Sequence, residues 1–283
     1  MSYWVVVVAR NAAQNISSTL RSLLNQTLLP SRIIVVNDGS SDKTSQILAD
    51  ASDAHPFIRT LDRPDRGYDI RRVPSNINLA LASASDLQVE YLLISGDDCT
   101  YPPDYVESLI SRMGKDTRIA VASGRPSQSG MLSQEHSPSG SGRIVRISFL
   151  RDVGSRFPIR AGWEAWLLFR AAQLGLRSVL FSDLMYTHAR PRGSGHQFAY
   201  WGAAMYTLGY HPLYALGRIA RTLVKSTSLK ASTTLLRGYL TATLGSSDPF
   251  AAPFDPILRE FVSAQQGREI GRVVVSAISH GIG

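Results

Sequence analysis

The chain reads as an α/β protein, a mostly parallel sheet with helices on both faces, followed by a helical C-terminal extension. Three observations predict this. Strand-like and helix-like segments alternate through the first half of the sequence. The opening run Tyr3–Ala9 is continuously apolar and β-branched, as in a strand buried on both faces. From His196 onward the composition shifts to aromatic and basic segments of helical type. With 283 residues, 44% of them hydrophobic and 18% charged, the chain can bury a full core.

After the first strand, Ile16, Leu20, Leu23 and Leu24 recur at helical spacing and predict an amphipathic helix over Ala12–Thr27. Arg32–Val36 is a second β-branched strand. It stops at Asn37-Asp38-Gly39-Ser40-Ser41-Asp42, a cluster of turn residues with a cap for a helix through about Asp50. Phe57–Leu61 reads as a third strand, Leu79–Ala84 as part of a helix and Tyr91–Ser95 as a fourth strand. Pro102-Pro103 opens a helix over Asp104–Met113, and the strand Ile119–Ser123 follows. This alternation predicts a mostly parallel sheet. Gly124–Gly142, rich in Ser, Gly and Pro and without apolar period, is expected to be a mobile loop, either a lid or a plain insertion. A strand over Ile144–Phe149, a helix over Glu164–Leu174 and a strand over Ser178–Phe181 complete a catalytic domain expected to span 1–195, with the extension over 196–283 and its apolar end Val273–Ile278.

A net charge of +8 and a pI near 9.8 call for a polyanionic partner; nucleic acid, anionic lipid and nucleotide phosphates all qualify. The single cysteine, Cys99, excludes an intrachain disulfide framework and fits a reducing compartment. Met1–Ala9 leads straight into a strand without a secretory signal, and no uninterrupted apolar run reaches the length of a membrane span. A cytoplasmic protein, peripheral on the cytoplasmic face of the membrane, is the resulting expectation.

Open parallel sheets bind ligands beyond the carboxyl ends of their strands. Asn11, Asn37-Asp38 and Asp97-Asp98 fall at such ends. Turn chemistry alone accounts for Asn37-Asp38-Gly39-Ser40. Two adjacent carboxylates at a buried strand end repel each other and need a cation, and Mg²⁺ commonly bridges a carboxylate to substrate phosphates. An acidic turn that caps the following helix is the plainer alternative. Neither a P-loop nor a Gly-x-Gly-x-x-Gly after the first strand is present, which removes two rival nucleotide-binding readings.

The opening strand with Asn11, the run Val35-Val36-Asn37-Asp38-Gly39-Ser40-Ser41-Asp42-Lys43-Thr44, the acidic pair, and Gly162-Trp163-Glu164 with Arg170 and Gly175 stand in an order and spacing that are specific together. Over about Tyr3–Arg192 the chain resembles a family 2 glycosyltransferase of GT-A fold. The resemblance implies that Ala9, Arg10 and Asn11 line the nucleotide and that Asp38 hydrogen-bonds its base. Asn76 matches the asparagine of a segment flanking the nucleotide, although Ser75 and Asn78 replace the usual Arg and Gly; Arg71 or Arg72 is the candidate to restore the positive charge. Asp98 falls on the last Asp of the family's Asp-x-Asp motif and so on the main ligand of Mn²⁺ or Mg²⁺. The first Asp of that motif is Gly96 here, which makes Asp97 the substitute. His188 matches a histidine that joins the metal in many members, an arrangement that would tolerate Mn²⁺, and Arg190 and Arg192 match arginines that meet the diphosphate.

Glu164 falls on the catalytic base of the inverting members, where a carboxylate takes the proton of an acceptor hydroxyl while a metal steadies the leaving diphosphate. For an acceptor that is already an ionised phosphate, Glu164 would position it instead. A helix-dipole acid is the structural alternative for Glu164.

The implied reaction is inverting transfer of a hexosyl-type sugar from a UDP- or GDP-sugar to an acceptor, a lipid-linked phosphate or a glycan. A nucleotidyltransferase would need a Gly-rich basic loop after the first strand, which Arg10-Asn11-Ala12-Ala13 is not. An inactive fold serving as a basic binding module is the other alternative. Nucleic acid is not the expected partner, because the strands lack aromatics interleaved with basic residues. In the extension, the segment Gln197–Val224 carries Phe198, Tyr200, Trp201, Met205, Tyr206, Leu208 and Tyr210, then Pro212, Leu213 and Tyr214, and Arg218, Arg221 and Lys225 follow. Such a segment suits a helix in a membrane interface and equally a helix packed on the catalytic domain, where the same aromatics would be core. From Arg190 to the end, ten basic residues face four acidic ones.

Overall fold

The computed structural model describes residues 1–84, 88–127, 137–190, 195–226 and 228–280. They form two compact units, one of Met1–Ile159 with Leu174–Pro191, the other of Arg160–Gln173 with Arg192–Gly283.

The first unit is built on one eight-stranded sheet: β1 (Tyr3–Ala9), β2 (Arg32–Asn37), β3 (Ile58–Asp62), β4 (Tyr91–Gly96), β5 (Cys99–Thr100), β6 (Ile119–Pro126), β7 (Arg143–Arg146) and β8 (Arg177–His188), in the spatial order β3-β2-β1-β4-β7-β6-β8-β5. β1 pairs in parallel with β2 and β4, β2 with β3, and β6 with β8. β7 runs antiparallel between β4 and β6, and β5 antiparallel beside the end of β8. The carboxyl ends of β1, β2, β4 and β8 therefore share one edge.

Helices α1 (Ile16–Leu24), α2 (Thr44–Ala54), α3 (Val73–Ser83), α4 (Tyr105–Lys115) and α5 (Ile147–Asp152) cover the sheet. Tyr3, Val5, Val7 and Ala9 of β1 join Ile33 and Val35 of β2 in a core with Ile16, Leu20 and Leu23 of α1, Leu48 of α2 and Val106, Leu109 and Ile110 of α4. The alternate residues Trp4, Val6, Ile34 and Val36 are buried as well, on the face where α3 lies against β1 and β2. Burial on both faces is why β1 carries no polar alternation.

Three expectations need adjustment. The strand expected over Ile144–Phe149 stops at Arg146, opposite Tyr91 at the start of β4. The Ile147 N–H still donates to the Glu90 carbonyl, but beyond it no strand is available, and the backbone satisfies itself as α5, burying Phe149 and Leu150. The strand expected over Ser178–Phe181 extends to His188. Of Gly124–Gly142, expected to be a mobile loop, 128–136 lie outside the described residues. The described ends are fixed, since β6 continues to Pro126, the Ser139 N–H donates to Ser123 Oγ, and buried Arg143 donates from Nε to the Ser139 carbonyl.

The second unit is helical: α6 (Trp163–Gln173), α7 (Gly195–Thr207), α8 (Pro212–Ser226), α9 (Leu229–Thr243) and α10 (Pro256–His280). α7 and α9 cross with their backbones in contact at Gly202 and Gly238. A Cβ on Gly202 would stand 2.1 Å from the Leu235 carbonyl oxygen, and one on Gly238 2.1 Å from that of Ala199. On α7 Phe198 and Met205 are buried and Tyr200, Trp201 and Tyr206 half-buried, and burial raises the Tyr200 phenol well above its ordinary range.

Candidate functional site

At the carboxyl edge of the sheet, β1, β2, β4 and β8 bring most of the singled-out residues of the first unit together. Asn11 leaves β1 with φ 48°, in the left-handed region that Asn tolerates better than most residues. Its N–H donates to Ser40 Oγ at 3.0 Å and its Oδ1 accepts the Ser41 N–H at 2.8 Å, so it ties the β1 loop to the β2 loop. Arg10 Nη1 donates to the carbonyls of Asp38 and Gly39, and its Nη2 donates to Asp65 Oδ1 at 2.6 Å. The Asp38 N–H caps the Ala9 carbonyl at 2.8 Å. Gly39 follows at φ 67°, where a Cβ would lie 2.4 Å from the Asp65 Cα, so the turn admits glycine alone.

Asp38 is 5% exposed. Its Oδ2 accepts from Arg72 Nη2 at 2.9 Å and Nε at 3.2 Å, while its Oδ1 is buried without a partner. Asn76 is wholly buried; its Oδ1 accepts from Arg63 Nη1 at 2.6 Å and its Nδ2 has no partner. Each therefore holds one unspent hydrogen-bonding atom away from water, which costs about 1–3 kcal/mol unless a ligand meets it. Of the two arginine candidates, Arg72 reaches Asp38. Arg71 donates from Nε to Asp69 Oδ1 at 2.9 Å, and that hydrogen bond holds the Asp69 carboxyl below the usual carboxylate range.

The second cluster lies at the end of β4. Asp97 and Asp98 are both buried. The Arg190 guanidinium spans them, donating from Nη2 to Asp97 Oδ1 and from Nε to Asp98 Oδ2 at 2.9 Å. The Arg190 N–H adds a bond to Asp98 Oδ2 at 3.1 Å, and the Arg10 N–H reaches Asp97 Oδ2 at 3.3 Å. The antiparallel pair Cys99↔His188 sets the imidazole against the acid turn, with His188 Nδ1 3.1 Å from Asp98 Oδ2. Burial works against the imidazolium, but hydrogen bonds to Asp98 and Cys99 outweigh it and raise the His188 pKa to about 10. Asp98, Cys99 and His188 each offer a ligand atom within 4.8 Å of one another. The carboxylate and imidazole suit Mn²⁺, while the Cys99 thiol beside them is a softer donor than Mn²⁺ or Mg²⁺ prefers.

Gly96 stands where the family has its first motif Asp. A Cβ there would meet Asp98 Oδ1 at 3.0 Å, Cys99 Sγ at 3.1 Å and Ser141 Oγ at 3.2 Å, so the neighbours have closed over that position. Cys99 is the member of the cluster that sequence reasoning missed. Its adjacency to Asp98 was a signal, but the two-residue β5 that pairs it with His188 is too short to read from the sequence. Arg192 lies outside the described residues. Glu164 belongs to the other unit, in the first turn of α6, where its charge helps hold the Tyr200 phenol up after burial itself.

Residues 4–176 match the family described as Glycosyl transferase family 2. The chain belongs to this family. The uncharacterized glycosyltransferase YibD of Escherichia coli is 26% identical over 116 residues, 41% of this chain and 32% of the relative. An uncharacterized glycosyltransferase of Haemophilus influenzae is 30% identical over 117 residues, 41% of this chain and 34% of the relative. The chondroitin synthase of Pasteurella multocida is 28% identical over 116 residues, 41% of this chain but 11% of the synthase. The matched stretch thus spans about a third or less of these curated relatives.

Among solved structures, the mannosyltransferase PcManGT of Pyrobaculum calidifontis, in complex with GDP-Man and Mn²⁺, aligns with a TM-score of 0.57 at 18% identity, covering 88% of this chain and 77% of the other. S. aureus TarS 1-349 in complex with UDP aligns at 0.54 and 17% identity, covering 87% and 73%. The family 2 chain has the GT-A fold of these glycosyltransferases.

Proposed function

We propose that the chain transfers a sugar, with inversion, from a UDP- or GDP-sugar to an acceptor hydroxyl or phosphate, the acceptor being a lipid-linked phosphate or glycan at a membrane surface. The observation that carries this reading is the pairing of two acid clusters on one sheet edge, one with buried hydrogen-bonding atoms still unspent, the other with a cation-binding donor set. The complexes of TarS with UDP and UDP-GlcNAc and of PcManGT with GDP-Man and Mn²⁺ support the donor class. Relatives named as chondroitin synthase and poly-beta-1,6-N-acetyl-D-glucosamine synthase support a glycan acceptor.

In this reading Asp38 Oδ1 accepts an N–H of the base and Asn76 Nδ2 donates to a base carbonyl, since the uracil and guanine edges both set an N–H beside a carbonyl. Arg72 keeps the Asp38 carboxylate aimed by holding its other oxygen. Ala9, Arg10 and Asn11 form the wall of the nucleotide pocket. Asp98 and His188, with Cys99 beside them, would hold the divalent cation, and Asp97 adds charge to the same turn. Bound there, Mn²⁺ or Mg²⁺ neutralises charge on the leaving diphosphate. Arg190, with Arg192, supplies further positive charge for the diphosphate. Glu164 takes the proton of an acceptor hydroxyl as general base; if the acceptor is an ionised phosphate, it orients that group instead. The test is a thermal-shift panel of UDP, GDP and ADP with and without Mn²⁺ or Mg²⁺. Stabilisation by UDP or GDP that requires the metal is expected. A flat panel would falsify the donor assignment.

A further inference from the structure

In the second unit, α8 turns an aliphatic face outward. On α8, Leu213 is 60% exposed, Leu216 56% and Val224 76%, with Leu223, Gly217 and Ala220 exposed alongside them. At 100° per residue these six fall on one stripe about 120° wide. Ala215 and Thr222, on the other side of the helix, are buried. A stripe of this kind is the usual core-facing side of an amphipathic helix, yet here it faces solvent. The apolar exposure continues at the start of α9, where Leu229 is 67% exposed.

The charge around the stripe has one sign. From Gly195 to Thr243, which covers α7, α8 and α9, the sequence holds Arg218, Arg221, Lys225, Lys230 and Arg237 and no Asp or Glu. Arg221 is exposed and sits at the border of the apolar stripe. Fifteen residues of helix extend only about 22 Å, and none of the described helices is long and apolar enough to cross a membrane. An exposed apolar stripe bordered by cations, on a helix too short to span, is the form of an interfacial helix.

We infer that α8 is the docking face of this chain for an anionic lipid surface, with Leu213, Leu216 and Val224 entering the headgroup boundary and Arg221 meeting lipid phosphates. This deepens the proposal of a membrane-surface acceptor and rests on it. It narrows the contact from the whole stretch 197–224 to the aliphatic face of α8.

The test is co-sedimentation of the full chain with phosphatidylcholine vesicles, with and without phosphatidylglycerol, at low and high salt. Binding needs neither donor nor turnover, so its failure is separable from failure of the glycosyltransferase reading, which thermal shift with UDP or GDP and metal reports. Binding to anionic vesicles at low salt is expected, weakened in high salt as screening requires. Leu216→Glu with Val224→Glu should reduce it by about tenfold or more while thermal stability stays unchanged, because both side chains are already exposed. Arg221→Gln should flatten the salt dependence. Binding that survives the double substitution overturns the assignment, as does a wild-type chain that ignores anionic vesicles. A chain that ignores vesicles but self-associates, as a dimer that the double substitution dissolves in sedimentation velocity, also overturns it and assigns the stripe to a second copy.

Discussion

Two acid clusters share the carboxyl edge of the sheet and are left in different states. At the end of β2, Asp38 spends one carboxylate oxygen on Arg72 and keeps the other without a partner. At the end of β4, Asp97 and Asp98 are spanned by Arg190 and flanked by His188. The first cluster can take a ligand by simple addition. In the second, Asp98 Oδ2 is taken up by Arg190 and His188, so a cation bound there would compete with the guanidinium and the imidazolium. An arginine neutralises the buried acid in both places, but at Asp38 it leaves one oxygen unpartnered, whereas at Asp97 and Asp98 it spans both carboxylates.

The comparison breaks most decisively at Asp98. Asp98→Asn removes one charge without changing volume, and both Mn²⁺-dependent donor binding and turnover are expected to fall, turnover by about 10³-fold, the upper range for one preorganised charge contact. Full activity in a glycosyl-transfer assay would return the acid pair to the role of a helix-capping turn. Glu164→Gln, in the other unit, should leave donor affinity intact and lower turnover by about 10²-fold, as loss of a general base does; a change confined to donor affinity would place it in the nucleotide pocket.

Asp38→Asn sharpens the addition side. Calorimetry with UDP and GDP is expected to show binding about tenfold weaker, in line with a hydrogen bond to a charged group, with little change in metal affinity. Arg190→Gln tests the competition: the metal-free protein should melt lower while Mn²⁺ alone binds more tightly, since the competing cation is gone. Equal Mn²⁺ affinity in the two proteins would mean that the guanidinium and the metal do not compete.

The smallest effect is in pH. His188 has its folded pKa raised above the ordinary 6.5 to about 10, so its stabilising contribution is fully present below about pH 6.5 and is lost as pH rises through about 10. Melting of the metal-free chain should follow that window. Mn²⁺ should bind more tightly as pH rises, because ligation needs the deprotonated ring. A metal-free melting temperature flat between pH 6.5 and 10 would remove His188 from the pair with Asp98.

Much of this arrangement was legible in the sequence because it depends on local pattern. Tyr3–Ala9, Arg32–Val36 and Tyr91–Ser95 are apolar throughout, and the turn residues after them fall at strand ends whatever the tertiary packing. Long-range partners were not legible. Arg71 and Arg72 are adjacent and alike, and only the short helical turn Ile70–Arg72 decides that one reaches Asp69 and the other Asp38. The start of α3 was hidden by Pro74, which reads as a breaker but sits in the first helical turn, where a missing N–H costs nothing. The aromatics of α7 have no periodicity that separates a packed helix from an interfacial one. The close crossing of α7 and α9 rests on Gly202 and Gly238, positions that carry no hydrophobic signal at all.

Those two glycines also govern how the second unit can change over time. Every one of the other nineteen amino acids adds a carbon where 2.1 Å separates it from a neighbouring carbonyl oxygen, so neither site offers drift a tolerated step. α8 is strung between α7 and α9 by the connections at 208–211 and 227–228, so a substitution at either crossing would loosen the frame that presents its exposed stripe. Variation among descendants of this chain should therefore gather on the outward residues of α8, where sequence can tune itself to a new surface, and stop at the crossing beneath it.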